Sequence, residues 1–88
     1  MQFGLKFALE GEHVVGYLTA RLEETESEPT IRDIISVFRW MTIKKTYDVA
    51  GNTNLMKIME SKKNQIKEPM WRSFVEKELS EIKKQATN

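Results

Sequence analysis

Between Thr30 and Tyr47 the chain sets apolar residues on more than one side of a single helical segment. Ile31, Ile34, Ile35, Phe38 and Met41 recur at i, i+3, i+4, i+7 and i+10, the stripe of a helix that turns one face to a core. At about 100° per residue, Val37, Trp40 and Ile43 fall off that stripe, and Trp40 stands nearly opposite Ile31. A helix that is apolar on opposite sides has to be covered on both. A chain of 88 residues has little other material for that, so a second copy or a partner protein is the expected source of cover.

The length fits one small domain, which buries roughly 60–65% of the surface its unfolded chain exposes. Residues are 40% hydrophobic and 31% charged, the balance of a globular protein rather than a disordered one. Cysteine is absent, which removes disulfides, thiolate metal sites and thiol nucleophiles. With no oxidative staple, a reducing, cytoplasmic setting is expected. The apolar start of the chain is broken by Lys6 and Glu10, so it does not read as a secretory signal. No apolar run approaches the roughly 18 residues of a membrane span.

Charge is unevenly spread. Residues 1–43 carry Lys6, Arg21, Arg32 and Arg39 against Glu10, Glu12, Glu23, Glu24, Glu26, Glu28 and Asp33, a net charge of −3. Residues 44–88 carry +4, for a total of +1. In that second half lysines and glutamates alternate at helical spacing, which reads as solvated helix faces rather than a polyanion-binding tail.

Phe3, Leu5, Phe7 and Leu9 alternate with Gln2, Gly4, Lys6 and Ala8, the period of a half-buried strand over residues 2–9. Glu10-Gly11-Glu12 supplies a turn in which Gly11 tolerates a positive φ. Residues 13–19 support two readings. Val14, Val15, Leu18 and Leu22 make a helical stripe, while β-branched and aromatic residues around Gly16 suit the return strand of a hairpin. Helix is expected from Ala20.

An acidic loop, Glu23 to Pro29, leads to Thr30, which with Asp33 forms a capping-box-like start for the central helix over 30–49. That helix is expected to stop at Ala50-Gly51-Asn52. Thr53 or Asn54 caps a third helix over 53–67, with Leu55, Ile58, Met59 and Ile66 on one face. Pro69 opens a last helix over 69–84 with the stripe Trp71, Phe74, Val75, Leu79 and Ile82, and Lys83 and Lys84 suit its C-terminal dipole. The expected fold is mainly α (α+β): an N-terminal strand or hairpin within residues 1–28, then three to four short helices in a small bundle.

Residues that carry chemistry are sparse. His13 is the lone histidine, and no His-Glu-x-x-His, Asp-x-Asp or EF-hand spacing surrounds it. The four glycines match neither a dinucleotide fingerprint nor a P-loop, and no serine lies in a nucleophile elbow. The sequence therefore points away from an enzyme, a cofactor, a metal or a small-molecule substrate.

What it offers instead is surface. Val37, Trp40 and Ile43 form a candidate protein interface. Met56, Met59, Met70 and Trp71, gathered in sequence around Pro69, form a secondary one, because methionine repacks easily and tryptophan anchors interfaces. Core filling is the competing account of this second group. The expected function is that of a small non-enzymatic interaction protein, a regulator or assembly factor that self-associates or docks on a larger protein.

A second reading follows from element order. Phe7-x-Leu9, then Val15, Leu18 and Leu22, then Thr30 with Asp33-Ile34-Ile35 and Phe38 resemble the strand–helix–helix order of ribbon–helix–helix proteins, in which two chains pair strands and interlock helices. The resemblance spans residues 1–45 and implies a dimeric DNA-binding regulator. Gln2 and Lys6 on the strand, with Lys44 and Lys45, would then meet nucleic acid. The acidic segment 23–28 opposes phosphate binding.

Overall fold

A computed structural model describes residues 11–86, which form a short 3-10 turn, Gly11–Val14, and four helices. These are α1 (Val15–Glu24), α2 (Glu28–Lys44), α3 (Thr53–Gln65) and α4 (Pro69–Ala86). No strand occurs among the described residues. The expected strand over 2–9 lies outside them. Its hairpin partner is overturned, because residues 13–19 are helical from Val15 onward. Val15, Leu18 and Leu22 all reach the core, whereas Gly16 and Tyr17 face outward. The helical period of the buried residues thus outweighs the β-propensity of their neighbours. The α+β expectation gives way to an all-helical bundle over the described residues.

Gly11 does take a positive φ, 63°. A Cβ there would meet the Thr46 carbonyl oxygen at 2.7 Å, so this close approach requires glycine.

Each helix boundary has a local cause. Ser27, not Thr30, caps α2, its hydroxyl accepting from the Thr30 amide at 3.4 Å, with Pro29 in the first turn. The C-terminus comes earlier than Gly51: Lys45 adopts the left-handed conformation at φ 59°, and the Thr46 amide turns back to the Met41 carbonyl at 3.0 Å. The chain leaves the helix there because Tyr47, Val49 and Ala50 fold back onto the core. Gly51 instead sits in a turn where its amide donates to the Asp48 carboxylate at 3.2 Å. Asn52 caps α3 by accepting from the Leu55 amide at 3.1 Å, and Pro69 opens α4 as expected.

Contacts between distant residues fix the directions. Lys62 of α3 reaches Thr25 at the end of α1, Glu60 of α3 pairs with Lys83 of α4, and Arg39 of α2 pairs with Glu78 of α4. Arg32–Trp71 and Arg39–Glu78 run in the same order along α2 and α4, so these two are parallel, while Asn64–Arg72 and Glu60–Lys83 run in opposite order along α3 and α4, so those are antiparallel. The most extensive helix contact is between the parallel pair α2 and α4.

The core gathers Leu18, Leu22, Ile31, Ile35, Phe38, Met41, Leu55, Met59, Val75 and Ile82 from all four helices. The central stripe of α2 is buried as its spacing requires, and Val37 joins it at 5% exposure. Neighbours on three sides of α2 widen its buried face beyond a single stripe, so the chain itself covers Val37.

Candidate functional site

The side of α2 that α1, α3 and α4 leave open carries Trp40, 36% exposed, and beside it α4 presents Phe74, 44% exposed. Helical spacing places Arg32, Ser36, Arg39 and Ile43 along the margin of α2 that meets α4. Helix α4 answers with Met70, Phe74, Glu78 and Glu81, and with Trp71 deeper in.

Two guanidiniums join the aromatic rings. Arg32 lies over the Trp71 ring at 4.7 Å and the Phe74 ring at 5.5 Å. Arg39 lies over the Trp40 ring at 5.3 Å. All three distances fall within cation–π range, and the stacks hold the rings in place while leaving part of each exposed.

Each arginine is also paired with an anion. Arg32 donates to the Asp33 carboxylate at 2.6 Å, and Arg39 Nε lies 3.3 Å from Glu78 Oε2. The first pair is half in water. The second is not, because Glu78 is only 7% exposed between the two helices. Burial pushes the Glu78 carboxyl above its ordinary range, and the Arg39 charge and the Ser36 hydroxyl pull it part of the way back. Its Oε2 has the ion pair but no aligned hydrogen bond. Glu78 is thus a carboxylate held in a dry seam by one off-axis cation.

The residues singled out in the sequence separate clearly. Trp40 is on this face, with Ile43 half-buried at its margin and Val37 inside. Of the methionine and tryptophan group, Met70 is 78% exposed, Trp71 and Met56 are half-buried and pack on the core, and Met59 is fully buried. Trp71 and Met70 thus lie on the same α2–α4 side as Trp40 but at the level of Arg32, about two turns along from Arg39 and Trp40, while Met56 and Met59 belong to α3. Phe74, Arg32 and Arg39 were not distinguished by sequence. The signal that marks them is an aromatic on the edge of the α4 stripe opposite two arginines seven residues apart on α2.

For the nucleic-acid reading, Gln2 and Lys6 lie outside the described residues. Lys44 and Lys45 are exposed at the C-terminal end of α2. The Ile31, Ile35 and Phe38 stripe is buried within one chain.

The acidic loop has structural work. The Glu28 carboxylate accepts from the backbone amides of Lys67 at 2.8 Å and Glu68 at 3.4 Å, ahead of α4. Lys62, whose stem is buried, donates to the Thr25 carbonyl at 2.8 Å.

No group of three or more histidines, aspartates or glutamates is placed to hold a metal ion among the described residues. No helix there is long and apolar enough to cross a membrane. No family model, no curated protein and no solved structure matches the chain.

Proposed function

We propose that this chain is a small non-enzymatic interaction protein that self-associates through the outer face of α2 and α4. One observation carries the reading: three aromatic rings, Trp40, Trp71 and Phe74, stand partly exposed on that face, each under a guanidinium. Tryptophan, phenylalanine, methionine and arginine are the residues that interface centres concentrate. Met70 adds an adaptable apolar edge.

The charges of the face favour a second copy as the occupant. Arg32 is matched by Asp33 and Arg39 by Glu78, so two such faces meet without like-charge repulsion, as a two-fold contact requires.

The test is sedimentation equilibrium across a wide concentration range. The native protein is expected to associate, and Trp40→Ala to weaken that association by about 2–4 kcal/mol, with helicity by circular dichroism unchanged. A native chain that stays monomeric throughout overturns the reading. Loss of helicity in Trp40→Ala would reassign Trp40 to the fold, and Phe74→Ala then decides whether the face has a binding role.

A further inference from the structure

Arg39 is the hinge between the buried acid and the exposed face. Its guanidinium reaches inward to Glu78 Oε2 at 3.3 Å and lies over the Trp40 ring at 5.3 Å. The side chain is 30% exposed, whereas that of Glu78 is 8% exposed. The position of the arginine therefore depends on an anion that water hardly reaches. A neutral carboxylic acid would hold Arg39 far less strongly, because an off-axis contact with an orphaned oxygen offers a cation little beyond charge.

We propose that Glu78 is a proton-operated control on this face: its carboxylate tethers Arg39 over Trp40, and protonation releases the arginine and weakens self-association. The inference rests on the reading of the α2–α4 face as the self-association surface.

Release acts in two ways at once. Trp40 loses the cation that fixes and partly covers it. Each copy also gains an unmatched positive charge at the same place, so two copies approach with like charges facing. Arg39 and Arg32 of α2 favour the ionised acid, as does the Ser36 hydroxyl, while Glu81 on α4 opposes it. Burial opposes it most, which moves the change from the ordinary glutamate range toward neutrality. Such a carboxylate takes up its proton at a higher pH than a solvated glutamate does.

Two measurements test this, and they fail separately. The first is a fluorescence titration of the Trp71→Phe protein, dilute and monomeric, in which Trp40 is the sole tryptophan. A sigmoid change in Trp40 emission is expected above the ordinary glutamate range, and Glu78→Gln should abolish it. A flat profile, or one that persists in Glu78→Gln, overturns the control. The second is sedimentation equilibrium of the native protein from neutral to mildly acidic pH. Its dissociation constant should rise at least about tenfold, while that of Glu78→Gln should be raised at every pH and nearly constant. Association of unchanged strength across that range sinks the control and leaves the interface standing. A native protein that never associates removes the interface, and the fluorescence titration still decides whether Glu78 governs Trp40.

Discussion

Helix α4 meets α2 and α3 along two seams, and a glutamate lies in each. Against α3, Glu60 is about one-third exposed and takes Lys83 at 2.8 Å and Lys63 at 3.1 Å. Against α2, Glu78 is almost wholly buried, with Arg39 at 3.3 Å as its ion-pair partner. The Lys83 hydrogen bond leads the causes that hold the Glu60 carboxyl below its ordinary range, and burial leads those that push Glu78 above it. The same residue type thus favours its charge in one seam and resists it in the other. Water access and the number of well-aimed partners decide the sign, not proximity to a cation.

The largest test of this contrast is Arg39→Met, which leaves Glu78 buried without its cation. We expect a loss of about 2–3 kcal/mol in denaturant unfolding at neutral pH, somewhat below the figure for a fully buried pair because Arg39 is partly open. The loss should shrink on acidification as Glu78 takes a proton. A loss of equal size at every pH would mean that the packing of the arginine stem matters and its charge does not.

Glu60→Gln should cost less, about 0.5–1 kcal/mol, and less again in high salt, because its lysines are solvated. An effect as large as that of Arg39→Met would erase the distinction between the seams.

The smallest effect is the shape of stability against pH, and here the two seams have opposite signs. Glu78 has its folded value raised, so the folded state binds the proton more tightly than the unfolded one. Its contribution grows as pH falls through the folded value and is complete below the unfolded value. Glu60 has its folded value lowered, so its contribution is present above the unfolded value and is lost as pH falls through the folded one. From these two groups, stability peaks near the ordinary glutamate value. Glu78→Gln should flatten the limb above the peak and Glu60→Gln the limb below it, as read from unfolding midpoints across pH.

Much of the bundle is legible in the sequence. The α2 stripe of Ile31, Ile34, Ile35, Phe38 and Met41 is buried as its spacing demands, Gly11 has the positive φ its turn needs, and Pro69 starts α4. What spacing does not carry is which sides of a helix have neighbours. Val37 has the spacing of surplus apolar surface because nothing in the sequence places three helices around α2. Phe74 keeps the α4 stripe and so has the spacing of a core residue, yet it lies at the edge facing α2 and stays exposed. The stop at Lys45 was hidden for a related reason. A lysine lacks the ease of glycine in the left-handed conformation and so does not announce a stop there, and the break comes from Val49 finding the core, a tertiary event.

The candidate face was half legible. Trp40 stood out by its angle on the helix, but Arg32, Arg39 and Glu78 acquire their meaning only when α2 and α4 lie side by side.

The pins at one end of the bundle bear on how the molecule comes apart. Lys62 holds the carbonyl of Thr25, and Glu28 holds the amides of Lys67 and Glu68, so each helical pair, α1 with α2 and α3 with α4, completes the turn of the other. Neither pair can peel away without breaking hydrogen bonds between its backbone and a side chain of the other. We expect unfolding to be a single cooperative event. Hydrogen exchange at the amides of Lys67 and Glu68 should slow or quicken together with that of the α1 core, although some 40 residues of chain lie between them.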